Sequence, residues 1–241
     1  MKTLKKLLAG PIGWILFFGT FLCIALVLRL PFLADGLHWR FEQFEPRPKL
    51  SQRILERLSH KEAIWQDAFI ADNAILIFGD SHLRLLPMGL LGDAYNFSIG
   101  GQSVGRLAAG FSDFKSVNVA ALIVLNGGEN DLSEGSSIEA ITASWVSLVS
   151  KIPKGKNFLC IGMPETLSSR RDSQNVATLN IKIQGVCTAY TNGQYLPVKM
   201  GAGIFMGYEI AKDEVHISKE AMKVLANEIR VRAIAAKLSN V

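Results

Sequence analysis

Five short apolar runs alternate with longer segments of helical periodicity over most of this chain. The runs lie at 74–78, 94–99, 119–125, 157–161 and, more weakly, 194–198. The helical segments lie at 51–68, 83–91, 103–114, 137–151, 173–190 and 218–238. Continuous apolar strands separated by helices are typical of a parallel sheet that is covered on both faces. The sequence therefore predicts one three-layer α/β/α domain with a parallel sheet over residues 51–241.

A long apolar segment precedes this domain. Pro11 to Leu28 is 18 residues without a charge, and "LPFL" extends the run to residue 33 beyond Arg29. About 20 helical residues span roughly 30 Å, the hydrocarbon thickness of a bilayer. A cleavable signal peptide would have a shorter apolar stretch and a small-x-small site, and a buried core helix would be apolar on one side only. We therefore expect one N-terminal transmembrane helix, an uncleaved anchor at 11–33.

The charges around this segment predict its orientation. Lys2, Lys5 and Lys6 precede it, so the positive-inside rule keeps the tail of residues 1–10 in the cytoplasm. Residues 34–50 mix aromatic residues, charges and two prolines, which is typical of a juxtamembrane linker. The domain is then expected on the extracytoplasmic side of the cell membrane, which is the periplasm in a bacterium.

Charge and cysteine usage exclude several function classes. Residues 1–35 hold four of the 26 basic and one of the 21 acidic residues, so the remaining chain carries a net charge of only about +2. A nucleic-acid partner is not expected, because it needs a concentrated basic surface. Cys160 and Cys187 could pair in an oxidising compartment, but two separate buried thiols are favoured because no dense cysteine framework is visible. No metal-binding or nucleotide-binding motif is present, so neither a metal nor a cofactor is expected.

Small and polar residues follow the predicted strands, where ligands bind in an open parallel sheet. These segments are "GDSH" at 79–82, "GGQS" at 100–103, "NGGEND" at 126–131 and "DEVHIS" at 213–218. A serine becomes a nucleophile when a histidine takes its proton, and a carboxylate orients that histidine. Ser81, His216 and Asp213 could fill these roles, with oxyanion donors from the Ser81 and Gly101 backbone N–H groups and the Asn130 amide.

The four segments, in this order and spacing, resemble the SGNH (GDSL-type) hydrolase superfamily over residues 74–238. The resemblance implies Ser81 as the nucleophile, Gly101 and Asn130 as oxyanion donors, and Asp213 with His216 completing the triad. Gly100 is the alternative donor in "SIGGQS". Each segment alone could be an ordinary turn or helix cap, but the joint occurrence favours a site. His82 gives a GDSH variant, which is similar to SGNH domains linked to polysaccharide O-acylation, and its side chain is expected to be structural.

The resemblance implies a membrane-anchored serine esterase or acyltransferase. The expected substrates are O-acyl esters, above all O-acetyl esters, of cell-envelope or exported polysaccharide. A transferase would need a multi-span acyl-donor or polysaccharide-synthesis partner, since one span cannot carry acetyl groups across a bilayer. Two alternatives stay open: a lipid or aryl esterase (lysophospholipase) of the same fold, and a non-catalytic polysaccharide-binding or scaffold subunit. Met200, Phe205, Met206 and Tyr208 could line an acyl pocket or belong to the core.

Overall fold

The computed structural model describes residues 49–165 and 172–239, with side chains from 54 onwards. The predicted cytoplasmic tail, the transmembrane anchor at 11–33 and most of the linker lie outside these residues. Within the described ranges, no helix combines the length and apolar character needed to cross a bilayer. The described residues from Arg53 onwards form one compact unit.

The sheet has five strands, as the sequence predicts. They are β1 (Ile75–Phe78), β2 (Ala94–Asn96), β3 (Leu122–Leu125), β4 (Phe158–Ile161) and β5 (Gly193–Leu196). The strand order is β2-β1-β3-β4-β5, and every neighbouring pair is parallel. This is the order of the flavodoxin-like doubly wound fold, and it confirms the predicted parallel sheet.

Seven α-helices lie within the described residues. They are α1 (Lys49–Asp67), α2 (Ser81–Arg84), α3 (Val104–Gly110), α4 (Glu129–Ser133), α5 (Ile138–Val149), α6 (Ser173–Thr188) and α7 (Lys219–Ser239). The predicted segment 83–91 is interrupted: α2 is followed by a 3₁₀ turn at Met88–Leu90 that begins after Pro87. Proline has no N–H to continue an α-helix, which accounts for the break.

Two apolar clusters cover the two faces of the sheet. On one face, Phe78 and Leu125 pack with side chains of α1, α3, α5 and α6, including the fully buried Trp145. On the other face, Ile77 and Val124 pack with α2 and α7. The strands are buried on both sides, which explains their continuous apolar sequences and gives three layers.

The two cysteines of the domain form a disulfide, so the expectation of two separate thiols is wrong. Cys160 lies in β4 and Cys187 in α6, and their sulfur atoms are bonded. Both residues belong to the same buried cluster, because α6 packs directly against β4. Their proximity results from the tertiary packing of two elements, which cysteine density in the sequence does not report.

Candidate active site

Ser81 stands at the point where β1 ends and α2 begins. The carboxylate of Asp80 caps α2: Asp80 Oδ1 accepts a hydrogen bond from the His82 backbone N–H at 2.9 Å. Gly79 leaves little room for a side chain, since an added Cβ would lie 3.2 Å from the carbonyl oxygen of Asn126. The strand end therefore holds Ser81 half-buried at the carboxyl edge of the sheet.

His216 is held by a narrow turn before α7. Ile210 and Ile217 form an antiparallel bridge, and the Ala211 N–H donates to the His216 carbonyl at 2.6 Å. Asp213 Oδ1 accepts from the backbone N–H groups of Val215 at 2.9 Å and His216 at 3.0 Å. Asp213 thus organises the turn that carries the histidine, in addition to contacting its ring.

Ser81, His216 and Asp213 form a continuous hydrogen-bonded chain. His216 Nε2 lies 2.8 Å from Ser81 Oγ, and His216 Nδ1 lies 2.7 Å from Asp213 Oδ2. Burial alone would raise the pKa of Asp213, but hydrogen bonds from the His216 ring, the His216 N–H and the Val215 N–H together lower this pKa to about 2. Ionised Asp213 accepts a hydrogen bond from Nδ1–H, which leaves Nε2 as the acceptor for the Ser81 hydroxyl.

Asn130 lies close to the serine loop. It occupies the first turn of α4, after Gly128, whose φ of +119° favours glycine. Asn130 Nδ2 donates to Asp80 Oδ2 at 3.3 Å and to the Gln102 carbonyl at 3.2 Å. The Asn130 amide therefore bridges the loops after β1 and β2.

Gly101, next to Gln102, adopts a left-handed conformation with a φ of +80°. The structure brings Gly101 into the same loop cluster as Ser81 and Asn130, through the Asn130 bridge. Gly100 adjoins Arg84, whose Nη1 would lie 3.4 Å from an added Cβ. The assignment of Gly101 as the oxyanion glycine remains a prediction.

Arg106 contacts the backbone carbonyl of Gly101, and the sequence did not predict this contact. Arg106 Nη2 donates to the Gly101 carbonyl at 2.8 Å. Its Nε lies 2.8 Å from Oε2 of the buried Glu56 in α1, and its Nη2 lies 3.3 Å from Oε1 of Glu134. In the sequence Arg106 is one polar residue of a helical segment, and nothing there links it to Gly101.

Asp80 is a fully buried carboxyl next to Ser81. Burial is the main cause that raises its pKa to about 6, and the negative charges of Glu129 and Asp131 act in the same direction. The His82 N–H hydrogen bond and the charge of His216 oppose this shift. The sequence shows the residue but not the burial that perturbs it.

His82 is buried. Its ring centroid lies 5.0 Å from that of His216, with the planes inclined by 49°. The His82 ring thus packs beside the His216 imidazole, and its structural role remains a prediction.

A shallow depression lies at the ends of β4 and β5. Its volume is about 620 Å³, and its lining includes Glu165, Met200, Tyr208 and Glu209. Among the residues expected to line an acyl pocket or the core, Phe205 is buried in the core and Met206 is 72% exposed. Met200 and Tyr208 are half-buried and contribute to this depression.

Comparisons with known proteins identify the fold. No family model matches the sequence, and no curated protein is detectably similar to it. Among solved structures, a protein from Streptococcus pneumonia that was assigned as a platelet activating factor aligns with a TM-score of 0.66 and 15% identity, over 77% of this chain and 95% of that one. A GDSL-like lipase from Bacteroides thetaiotaomicron aligns with a TM-score of 0.57 and 15% identity, over 73% and 98%.

An acetylxylan esterase from Geobacillus stearothermophilus aligns with a TM-score of 0.54 and 15% identity, over 67% of this chain and 94% of that chain. These alignments span almost the whole length of each neighbour. They show that this chain has the α/β/α fold of the GDSL-type lipase and acetylxylan esterase structures.

Proposed function

We propose that this chain is a membrane-anchored, extracytoplasmic serine esterase or O-acyltransferase with Ser81, His216 and Asp213 as its triad. The observation that carries the proposal is the hydrogen-bonded chain from Ser81 Oγ through His216 to Asp213, at 2.8 Å and 2.7 Å. A hydroxyl, a base and an orienting carboxylate in contact are the parts that nucleophilic acyl transfer requires.

The reaction proceeds through an acyl-enzyme. Ser81 Oγ attacks the ester carbonyl carbon while its proton passes to His216 Nε2, and ionised Asp213 stabilises the imidazolium. The oxyanion accepts hydrogen bonds from the Ser81 and Gly101 N–H groups and from Asn130 Nδ2. The C–O bond to the leaving alcohol then breaks, and His216 returns the proton to that oxygen. Water or an acceptor hydroxyl, deprotonated by His216, releases the acyl group and regenerates Ser81.

The proposed substrates are O-acyl esters, chiefly O-acetyl esters, of cell-envelope or exported polysaccharide. The depression near β4 and β5 is lined by Ile210, whose bridge partner Ile217 follows His216, but neither Ser81 nor His216 is among its lining residues. It is therefore a neighbouring surface and does not itself identify the substrate. The likeness to the fold of an acetylxylan esterase supports the same substrate class.

Two features support an extracytoplasmic position. The uncharged segment 11–28 follows three lysines, which favours a cytoplasmic N-terminus. The Cys160–Cys187 disulfide suits an oxidising compartment. If the second step is transfer to a sugar, the acyl donor must reach this side through a multi-span partner.

The test is labelling of the purified full-length protein with a fluorophosphonate, located by peptide mapping. We expect one adduct, on Ser81, and none in Ser81→Ala. A matched control is Ser112→Ala, which alters another serine of the domain and should leave labelling intact. A folded protein that is not labelled would contradict the esterase and favour the scaffold alternative.

The substrate class has its own test. We expect release of acetate from acetylated xylan, and faster cleavage of 4-nitrophenyl acetate than of the decanoate ester. Faster cleavage of the decanoate or of lysophospholipid would favour the lipid esterase instead. Addition of a soluble sugar acceptor separates hydrolysis from transfer, because transfer gives an acetylated sugar in place of free acetate.

A further inference from the structure

Helix α1 packs on the domain through a polar face. Glu56 and Asp67 are 7% and 5% exposed, and they lie on the same side of the helix as Ala63. Glu56 pairs with Arg106, while Asp67 Oδ2 accepts from the Lys115 backbone N–H at 2.6 Å. The contacts that hold α1 to the domain therefore include ion pairs and hydrogen bonds in addition to the apolar packing of Ala63 and Ile64.

The opposite face of α1 is apolar and exposed. Ile54, Leu58 and Trp65 are 51%, 59% and 68% exposed, and Phe69 in the following turn is 70% exposed. With 3.6 residues per turn, these positions form one stripe on the side away from Glu56. The Trp65 and Phe69 rings contact each other, with centroids 5.1 Å apart. We call these four residues the α1 stripe.

An exposed stripe of large apolar side chains is typical of an interaction surface, because it adds nothing to the core of the domain. One flank of the stripe is basic and the other carries the exposed Glu62. Arg57 and Lys61 are exposed, one helical turn apart, and with Ile54 and Leu58 they line the α1 side of a groove of about 960 Å³ whose opposite side includes Arg106 and Ala109 of α3. Because two cations face one carboxylate, the border of the stripe is net positive and complements an anionic lipid surface, where a tryptophan is also favoured.

The sequence before α1 brings this surface close to a bilayer. The predicted anchor ends at residue 33, and 15 residues separate it from Lys49, the first residue of α1. Those residues can span at most about 50 Å when fully extended. The stripe is therefore within reach of the membrane surface.

We propose that the α1 stripe docks on the extracytoplasmic surface of the membrane in which the chain is anchored, with Arg57 and Lys61 against anionic lipid head groups. The inference rests on the proposed anchoring. Docking gives the domain a fixed orientation on the membrane. It also brings α1 against the membrane surface. Glu56 of this helix pairs with Arg106, and Arg106 contacts the Gly101 carbonyl.

Tryptophan quenching in nanodiscs tests the docking with the full-length chain. The protein has four tryptophans, at 14, 39, 65 and 145. The W14F/W39F variant retains Trp65 and the fully buried Trp145, which serves as an internal reference. In discs of phosphatidylcholine and phosphatidylglycerol with brominated acyl chains, we expect loss of the Trp65 emission, compared with discs of the same lipids without bromine.

Two controls locate the effect. In W14F/W39F/W65F the quenching should disappear. Adding Val231→Trp to that triple variant puts an exposed tryptophan on α7, which covers the other face of the sheet, and its emission should not be quenched. Leu58→Glu should reduce the quenching of Trp65 without changing fluorophosphonate labelling at Ser81.

The outcomes separate the docking from the rest of the proposed function. If the protein resides in discs but Trp65 is not quenched, the docking is wrong and the stripe belongs to a second copy or another protein. Equal quenching in phosphatidylcholine alone would overturn the role of Arg57 and Lys61. If the full chain does not associate with discs, both the anchoring and the docking are wrong, while Ser81 labelling still reports on the esterase.

Discussion

Ser81 Oγ and His216 Nε2 lie 2.8 Å apart although 135 residues separate them in the chain. Ser81 is fixed by the end of β1, and His216 by the turn that leads into α7. Their contact therefore depends on two elements that meet only when the sheet and α7 are assembled. Asp213, three residues before His216, belongs to the same turn and needs no further element.

His216→Ala should lower kcat by roughly 10⁴- to 10⁶-fold, because Ser81 would lose its base. Asp213→Asn should cost roughly 10³- to 10⁴-fold through the wrong ring tautomer. Initial rates on 4-nitrophenyl acetate, with circular dichroism to verify folding, measure both. His60→Gln is the matched control, since His60 also contacts a carboxylate, that of Asp113 at 2.9 Å, and should be harmless to kcat. A folded His216→Ala variant within tenfold of wild type would exclude the triad.

Asn130→Ala should reduce kcat by roughly 100-fold or more with little change in KM, because its amide acts on the oxyanion and not on the bound ester. Asn118→Ala removes an equivalent amide that bonds only to the nearby Lys115 carbonyl, and it should keep full activity. Equal kcat in both variants would show that Asn130 serves only to join the loops.

Arg106→Lys should lower kcat about tenfold while the melting temperature changes little. Lysine retains a positive charge for Glu56, but it lacks the planar fork that reaches Glu56 and the Gly101 carbonyl together. Displacing the Gly101 loop by a fraction of an ångström would misplace an oxyanion donor. A variant with wild-type kcat would indicate that Gly101 is positioned without Arg106.

Asp80 should make stability depend on pH. Its folded pKa of about 6 exceeds the value of 3.8 for an unperturbed carboxyl, so the folded protein holds a proton that the unfolded chain releases. The associated stability is fully present below pH 3.8 and is lost as the pH rises through about 6, by on the order of 2–3 kcal/mol.

Urea unfolding in detergent at pH 4.5 and 7.5 measures this change. Asp80→Asn should flatten the pH dependence, whatever its effect on stability at one pH. Asp93→Asn, at an exposed position, should leave the dependence as in wild type. An unchanged slope in Asp80→Asn would assign the pH dependence to other groups.

The sheet and the four loops could be predicted because the local structure at each position determines which residue types occur there. Runs such as Ile75–Phe78 are buried on both faces, so their whole sequence is apolar, and glycine and Asx residues mark the strand ends. The burial of the Asp80 carboxyl and the Arg106–Gly101 contact could not be predicted, since each depends on residues far apart in the chain. Helix α1 shows the same limit: its periodicity indicates a helix but not that Ile54 and Trp65 face solvent while Glu56 is buried.

The Cys160–Cys187 disulfide joins β4 to α6 across 27 residues of sequence. Closing a loop of this length should stabilise the protein by about 3–4 kcal/mol, because it restricts the unfolded chain. Cys160→Ala/Cys187→Ala should therefore unfold at lower urea concentration than wild type in detergent, and reduced wild type should approach the variant. Cys23→Ala, outside the domain, serves as the control and should match wild type. Alkylation of both Cys160 and Cys187 in the folded, unreduced protein would contradict the disulfide.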